Sequence, residues 1–340
     1  SGIRFVRSLS PSFYDLVIAN PPYQGNGKIF DTHYIEEKYA LGKAELYASF
    51  LLRTLDLARP AGLSALLSPR DWMSAQQYTG LRESVLAKRN LTLLADLGWG
   101  SFKEIKDVRV CMSVWRKICP ASLPTIVLAP TGVKPSGRTL EDYEQKASGL
   151  LLGVERFSSV LSSLSRIKEW PLIYWWKEDM LTLFDSYQPL GERCPVRNGL
   201  STQDNTRFLR SIWEVKNVMT CVHRNPADSD WALYIKGAAG RAWLEDARDV
   251  IRWVAHGIEV KVFNEAMYGS YSRTVKNEKH YFEKGVAFSL IGDRFTARIH
   301  RYSSVFGHMG ASVFPGEENL ESICCTLNSS KAQYILSSLN

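Results

Sequence analysis

The stretch "YDLVIANPPYQGNG", residues 14–27, decides how this chain is interpreted. Its first part, "YDLVIA", is an apolar run that predicts a buried parallel β-strand. The run stops at Asn20-Pro21-Pro22-Tyr23 and continues into a glycine-rich loop. In open α/β sheets, ligands bind beyond the carboxyl ends of the strands. The position of Asn20–Tyr23 therefore predicts contact with a ligand.

The residues that follow alternate between helical and strand patterns. Apolar residues at helical spacing predict helices in "ELYASFLLRTLDLARPAG" (45–62) and "YTGLRESVLAKRN" (78–90). Three further segments have strand patterns: "LSALLSP" (63–69), "LTLLADLG" (91–98) and "VRVCMSVWRK" (108–117). An antiparallel arrangement with the strand before it is one possibility for the strand at 108–117. This order predicts a doubly wound α/β sheet.

The sequence divides into three parts. Residues 1–120 contain the α/β pattern, whereas residues 121–190 begin with a stretch rich in Pro, Gly and Ser and then turn helical. We interpret this second part as a linker and helical connector. Residues 191–340 contain short alternating segments separated by turn residues, which predicts a mixed α+β domain.

Composition sets broad limits on function. Hydrophobic residues make up 45% of the 340 residues, which is ordinary for a globular protein, and no apolar run has the length of a membrane-spanning helix. We therefore expect no membrane contact and a cytoplasmic location. The six cysteines have neither metal-ligand spacing nor a disulfide pattern, so we expect reduced thiols and no metal. The net charge of +7 favours a polyanionic partner but does not identify one.

Asn20-Pro21-Pro22-Tyr23 has a chemical use at the end of a strand. The Asn side-chain oxygen and a proline carbonyl can both accept hydrogen bonds from one exocyclic amine, and the prolines hold these acceptors rigidly. Tyr23 offers a flat face on which a planar base can stack. Together these groups predict a pocket for the amino group of adenine. The simpler alternative is that the prolines only end the strand and Tyr23 packs against a neighbour.

"DLVIANPPY" resembles motif IV of the methyltransferases that methylate N6 of adenine in DNA. The wider pattern is similar to type IIG restriction-modification enzymes and to PglX-type methyltransferases of BREX phage-defence systems. The resemblance implies that residues 1–120 are part of a methyltransferase catalytic domain, from motif IV onward, with the C-terminal half of a Rossmann-like sheet. It also implies that residues 191–340 are a target-recognition domain for double-stranded DNA, with other defence-system subunits as further candidate partners.

The same resemblance assigns roles to individual residues. Asn20 and Pro21 accept hydrogen bonds from the adenine amine, Pro22 rigidifies the loop, and Tyr23 stacks on the flipped-out base. Phe102, in "GSFKEI", is a candidate for the second face of the base, with a core position as an equally weighted alternative.

S-adenosyl-L-methionine is the methyl donor that the resemblance implies. The family binds it with a glycine-rich F-x-G-x-G loop, which the 340 residues do not contain; neither "KGAAG" (236–240) nor "FGHMG" (306–310) fits. We expect that loop upstream of this chain. We therefore expect the chain alone to bind S-adenosyl-L-methionine weakly or not at all, and to be inactive by itself.

Basic residues in the C-terminal part are candidates for contact with DNA phosphates. Two flank a glycine-rich turn and six lie in the most basic segment of this part: Lys236 and Arg241, then Arg273, Lys276, Lys284, Arg294, Arg298 and Arg301.

Three functions remain open. The first is a site-specific DNA adenine methyltransferase in restriction-modification or phage defence. The second is a DNA-specificity module without catalysis, or a partner-dependent subunit, because the cofactor loop is missing. The third is an RNA or protein-glutamine methyltransferase, because N-P-P-Y serves those substrates too. The large basic C-terminal part favours DNA.

Overall fold

The computed structural model describes residues 6–29, 31–102, 108–120, 123–130, 140–216, 229–237, 240–290, 295–316 and 319–339. Two compact units divide the chain, Ser1–Tyr187 and Gln188–Ser338. Within the described ranges, none of the helices combines the length and the apolar character that crossing a bilayer requires.

The first unit contains one six-stranded sheet and five α-helices among its described residues. Its elements in chain order are β1 (Tyr14–Ala19), α1 (Thr32–Lys38), α2 (Leu46–Leu57), β2 (Ala58–Pro69), α3 (Thr79–Lys88), β3 (Asn90–Gly98), β4 (Val110–Arg116), β5 (Thr125–Leu128), α4 (Leu140–Leu152), β6 (Arg156–Ser159) and α5 (Glu178–Ser186). The predicted alternation of strands and helices from β1 to β4 is confirmed.

The sheet is mixed, with strand order β1-β2-β4-β3-β5-β6. The pairs β1/β2 and β3/β5 are parallel, whereas β4 lies antiparallel between β2 and β3. The antiparallel arrangement considered for residues 108–117 is therefore confirmed. Because β4 runs against its neighbours, the residue before it lies at the same end of the sheet as the residues after β1, β2 and β3.

Strand β1 differs from the prediction, because it is an edge strand rather than a buried one. It pairs with β2, and Leu16 and Ile18 are 49% and 73% exposed. An apolar strand is the usual sign of burial on both faces, but burial also needs a neighbour on each side. The described residues provide one neighbour, so Leu16 and Ile18 remain exposed, whereas Val17 and Ala19 are partly buried.

Helix α2 packs one face against this sheet. Its buried residues include Tyr47, Ala48, Leu51 and Leu55, which recur at helical spacing. The helix ends at Leu57, earlier than the pattern predicted, because Ala58 and Pro60 already belong to the extended β2. Gly62 lies close to β1, and a Cβ there would come within 3.0 Å of the Asp15 carbonyl oxygen. Glycine at this position therefore lets the backbone of β2 run close to that of β1.

Two strands lie in the segment that we interpreted as a linker and helical connector. Thr125–Leu128 pairs with β3, and Arg156–Ser159 pairs with Thr125–Leu128 in turn, so both extend the same sheet. Helix Glu178–Ser186 agrees with the helical character predicted for the later part of this segment, whereas most of helix Leu140–Leu152 lies in the earlier stretch that we interpreted as a linker. Strands of four residues carry too little periodicity to be recognised in a stretch rich in Pro and Gly.

The second unit contains two sheets. Its elements in chain order are α6 (Leu190–Arg193), β7 (Val196–Arg197), α7 (Asn205–Phe208), β8 (Leu209–Ser211), β9 (Trp231–Ile235), β10 (Trp243–Leu244), β11 (Asp249–Arg252), α8 (Ile258–Tyr268), β12 (Gly285–Phe288), β13 (Ala297–His300), β14 (Ser304–Phe306), β15 (Ser312–Val313), α9 (Leu320–Asn328) and α10 (Ser330–Leu339). The predicted mixed α+β character of this part is confirmed.

A core lies between the two sheets of this unit, which have the orders β10-β13-β12-β15-β7 and β14-β9-β11-β8. It contains Tyr234 and Phe306 from one sheet and Ala287 from the other. A second cluster forms where Val286 and Ile299 of the five-stranded sheet pack near Cys324 of helix α9. Each sheet therefore buries apolar residues on the face that another element covers.

Candidate functional site

The loop Asn20–Tyr23 begins where β1 ends, at the carboxyl edge of the sheet. Asn20 and Pro22 are exposed, Pro21 is buried, and Tyr23 is half-buried. The next residues are fixed to the start of helix α2, because the Leu46 amide donates a hydrogen bond to the Gln24 carbonyl at 2.9 Å. The loop thus leaves the Asn20 side chain in solvent while both of its ends are anchored.

Tyr23 and Phe102 pack against the same hydrophobic cluster. Its buried members are Ala95 and Leu97 of β3 and Val110 of β4, and both aromatic side chains lie partly buried against it. The family resemblance predicts these two aromatics on either side of a base, and the structure brings them to one cluster. Stacking on a base remains a prediction.

The hydroxyl of Tyr23 points into the protein. Its oxygen is buried and has no hydrogen-bond partner among the described residues. Burial raises the pKa of Tyr23, and the nearby Cys111 thiol raises it further. Burial also raises the pKa of Cys111, to about 12, with the Asp96 carboxylate as the next cause. Tyr23 therefore remains a neutral phenol at physiological pH.

A buried polar network lies next to Cys111. Asp96 is 2% exposed. One of its carboxylate oxygens accepts a hydrogen bond from the Tyr174 hydroxyl at 2.9 Å and forms an ion pair with Arg70 at 3.0 Å. The other oxygen of Asp96 is buried without a partner among the described residues. Tyr174 is itself buried.

The turn after β3 presents an aromatic side chain. Gly98 and Gly100 have φ angles of 62° and 66°, a left-handed conformation that glycine adopts without strain, and Trp99 lies between them. The guanidinium of Arg109 lies 5.6 Å from the centre of the Trp99 ring, and Ser101 donates a hydrogen bond to the Gly98 carbonyl at 3.0 Å. This turn positions Phe102 on the hydrophobic cluster.

Three polar residues at this edge were not predicted from the sequence: Arg70, Asp96 and Arg109. Two of them had a signal: Arg70 directly follows the predicted strand 63–69, and Asp96 is an acid inside an otherwise apolar strand. An acid there must find a partner, because an unpaired buried charge is costly. The partner itself could not be identified, because it comes from a different loop.

A cavity of about 460 Å³ lies beside the continuation of the loop. Its lining includes Gly27, Glu36, Lys43, Gln77 and Leu81, and does not include Asn20 or Tyr23.

Most of the basic residues predicted to contact DNA lie on the surface of the second unit. Arg273, Lys276 and Lys284 are exposed and form no ion pair with any described residue. The remaining surface members form ion pairs: Lys236 with Asp249, Arg241 with Asp246, and Arg301 with Glu321. Arg294 lies outside the described residues.

Arg298 requires a correction. It is fully buried, forms an ion pair with Glu245, and donates a hydrogen bond to the Lys236 carbonyl. Burial lowers its pKa to about 10. All four residues of β13 are buried, so this side chain supports the fold and is not a surface contact for a phosphate.

Comparisons with known proteins agree with motif IV. Residues 7–102 match the family model of the Eco57I restriction-modification methylase, a range that includes Asn20–Tyr23 and Phe102. The chain is 26% identical over 354 residues to the adenine-specific methyltransferase PglX of Lacticaseibacillus casei (strain Zhang), covering 99% of this chain and 29% of the relative. It is 25% identical over 331 residues to the adenine-specific methyltransferase BrxX of Escherichia coli O9:H4 (strain HS), covering 95% and 26%.

One solved structure has a comparable fold over most of the chain. It is the type IIL restriction-modification enzyme MmeI in complex with DNA, with a TM-score of 0.51 and 12% identity, covering 89% of this chain and 41% of that chain. The resemblance to adenine-specific methyltransferases of the restriction-modification and PglX type is therefore confirmed. The chain spans between a quarter and a third of the length of the curated relatives.

Proposed function

From this resemblance to adenine-specific methyltransferases, we propose that the chain holds the target adenine of a site-specific DNA methyltransferase that acts in restriction-modification or phage defence. The observation that carries the proposal is the position of Asn20–Tyr23. This loop follows β1 at the carboxyl edge of the sheet, and its Tyr23 packs on the same cluster as Phe102.

In the proposed site, the exposed Asn20 side-chain oxygen and the Pro21 carbonyl accept hydrogen bonds from the two N–H groups of the adenine amine. The amine lone pair is delocalised into the ring, and two acceptors that pull on its hydrogens favour a tetrahedral nitrogen. The lone pair then becomes available to an electrophilic methyl group. No general base with a shifted pKa is needed at this loop.

The base must leave the duplex to reach this loop. Flipping costs a few kcal/mol of unpairing and unstacking energy. Stacking on aromatic side chains returns about 1 to 3 kcal/mol per base. We propose Tyr23 and Phe102 as the two stacking faces, which would hold the flipped adenine while Asn20 orients its amine.

We propose that S-adenosyl-L-methionine is the methyl donor and that its binding loop lies on a segment other than these 340 residues. The chain contains no F-x-G-x-G loop, so its own residues do not fit the cofactor. Calorimetric titration of the purified chain should give weak or no binding. Tight 1:1 binding would contradict this part of the proposal.

In the second unit, we propose that Lys236, Arg241, Arg273, Lys276, Lys284 and Arg301 contact DNA phosphates. Three of them have no ion-pair partner among the described residues, and surface ion pairs of the other three contribute only about 0 to 1 kcal/mol each, so phosphates can replace their partners. A triple variant at Arg273, Lys276 and Lys284 should bind DNA with a weaker salt dependence. The slope of log affinity against log salt concentration should become less steep by about 0.9 for each lost phosphate contact.

Modified-base sequencing tests the central proposal. DNA from cells that produce the protein containing this chain should carry N6-methyladenine at one recurrent sequence, and Asn20→Ala should abolish the modification. Gln76→Ala, at another exposed amide of the same unit, is the matched control and should leave it unchanged. Methylation by Asn20→Ala at the wild-type level would refute the role of the Asn20 acceptor.

The same experiment separates the alternatives. A specificity module without catalysis would bind DNA and leave no modified base in any variant. An RNA or protein-glutamine methyltransferase would leave the DNA unmodified while methylating its own substrate.

A further inference from the structure

Two arginines project from neighbouring positions at the carboxyl edge of the first unit's sheet. Arg70 directly follows β2, and Arg109 directly precedes β4. Their backbones are joined, because the Arg70 amide donates a hydrogen bond to the Arg109 carbonyl at 3.0 Å. Both side chains therefore start from the end of the sheet where Asn20–Tyr23 follows β1.

Arg70 is held in a fixed orientation by a buried carboxylate. Its Nη2 atom lies 3.0 Å from Asp96, which also accepts the Tyr174 hydroxyl. Asp96 is buried, whereas the side chain of Arg70 is 24% exposed. A guanidinium has five N–H donors, and Asp96 is the one described residue that this guanidinium pairs with. The buried end of Arg70 is thus anchored, and its remaining donors are available to a ligand at the edge.

Arg109 is held more loosely, by a tryptophan ring and an exposed carboxylate. Its guanidinium lies over the ring of Trp99 at 5.6 Å and contacts Asp71 at 3.2 Å. The side chains of Arg109 and Asp71 are 39% and 45% exposed. An ion pair this exposed contributes about 0 to 1 kcal/mol, so an incoming anion can displace Asp71 while Trp99 keeps the guanidinium in place.

The arginines belong to the strand ends that support the loop Asn20–Tyr23. Tyr23 packs against the cluster that contains Val110 of β4, the residue directly after Arg109. Leu67 of β2, three residues before Arg70, packs against the same cluster. Both arginines therefore start beside the residues on which Tyr23 rests.

We propose that Arg70 and Arg109 together bind the phosphodiester group next to the base held at Asn20–Tyr23. This inference rests on the proposed function, because a base in that pocket remains attached to its backbone. A guanidinium matches two oxygens of a phosphate with parallel hydrogen bonds. The site would fix the position of the flipped nucleotide from the phosphate side, while Asn20 and Tyr23 hold its base.

Single-stranded probes test this site without the need to know the recognition sequence. The first probe is a hexanucleotide with one 2-aminopurine, a fluorescent adenine analogue, and ordinary phosphates. The second carries uncharged methylphosphonates on both sides of the 2-aminopurine. A base in a single strand needs no flipping out of a duplex. The wild-type chain should bind the charged probe about tenfold more tightly, as expected for a charged hydrogen-bonded contact.

Variants of the two arginines should remove this difference between the probes. Arg109→Ala and Arg70→Ala should each bind the charged probe about tenfold more weakly and the uncharged probe with nearly wild-type affinity. Arg70→Ala leaves Asp96 buried and unpaired, so Arg70→Ala/Asp96→Asn provides the same test without that charge. Arg59→Ala is the matched control, because Arg59 belongs to β2 at the opposite end of the sheet and forms an exposed ion pair with Asp15; it should behave as wild type.

The outcomes distinguish this inference from the proposed function. If the wild type does not distinguish the probes, or if both arginine variants still distinguish them as the wild type does, the phosphate site is wrong. If Tyr23→Ala leaves the 2-aminopurine fluorescence change intact with both probes, the base pocket is wrong, and the phosphate site falls with it. Loss of the probe difference in the arginine variants, together with loss of the fluorescence change in Tyr23→Ala, supports both.

Discussion

Tyr23 and Phe102 come from loops after two different strands, yet both pack against the buried cluster of Ala95, Leu97 and Val110. This cluster belongs to β3 and β4, so the central strands of the sheet set the distance between the two aromatics. A rigid support of this kind is what a base-binding site needs, because misplacement by even 1 Å weakens catalysis.

Tyr23→Phe should leave the chain as stable as the wild type, within about 1 kcal/mol, because the removed hydroxyl has no hydrogen-bond partner among the described residues. Tyr23→Ala should cost about 2 kcal/mol or more, because the ring leaves a space beside the cluster. Urea denaturation measures both free energies of unfolding. A large loss in Tyr23→Phe would show that the hydroxyl has a partner that stabilises the fold.

Arg82→Lys should destabilise the first unit by about 2 to 4 kcal/mol, because a buried arginine has several acceptors that lysine cannot satisfy together. Arg82 is fully buried and donates to the carbonyls of Trp72, Ala75 and Glu169. Thermal unfolding monitored by circular dichroism measures the effect. Arg89→Lys, at a half-buried position directly after α3, is the control, and an equal loss there would mean that the effect of Arg82→Lys is not specific.

Gly199→Ala should destabilise the second unit by about 2 kcal/mol or more, because overlap with backbone forces strands to shift. A Cβ at Gly199 would overlap the Phe306 carbonyl oxygen, which accepts a hydrogen bond from the Leu200 amide. Gly191→Ala is the matched control, because nothing lies within 4 Å of its Cβ position. Hydrogen exchange of β14 amides would localise the loss, and equal stability of the two variants would contradict the predicted packing.

The stability of the second unit should fall at acidic pH through His300. Burial, and then the charge of Arg298, lowers the pKa of His300 to about 3 in the folded chain, from 6.5. Between these values the unfolded chain binds a proton that the folded chain does not, so the free energy of unfolding rises with pH across this window. The contribution of His300 is present above pH 6.5 and is lost toward pH 3, by at most about 1.4 kcal/mol per pH unit.

His300→Leu should remove this part of the pH dependence. Urea denaturation of the variant and of the wild type from pH 3 to 7 measures it as the difference between their free energies of unfolding at each pH. His308→Leu, at an exposed histidine of the same unit, should retain the wild-type dependence. A His300→Leu variant with an unchanged pH profile would show that this imidazole does not titrate differently in the folded chain.

Much of the first unit could be predicted from periodicity. The strand at residues 14–19, the helix that starts near Glu45 and the antiparallel β4 are all present. These elements are long and strongly patterned, so local sequence decides them. The short strands at Thr125–Leu128 and Arg156–Ser159 were not recognised, because pairing with β3 and with each other, rather than their own pattern, makes them strands.

The candidate site divides in the same way. The motif at Asn20–Tyr23 was recognisable because four residue types follow one strand directly. Arg298 was misassigned, because a basic residue in a basic segment has the same sequence signal whether it faces solvent or, as here, a buried Glu245. Arg70 and Asp96 were missed, because their contact joins the ends of two strands.

The sequence alone determined the order of strands and helices in the first unit and the chemistry of the Asn20–Tyr23 loop, since both depend on neighbours along the chain. The tertiary structure decided which residues meet: Tyr23 and Phe102 on one hydrophobic cluster, Arg70 with Asp96, and Arg298 with Glu245. The physical reason is that burial and ion pairing are set by contacts between distant segments. Periodicity describes which face of an element is apolar, but it does not identify the element that covers that face.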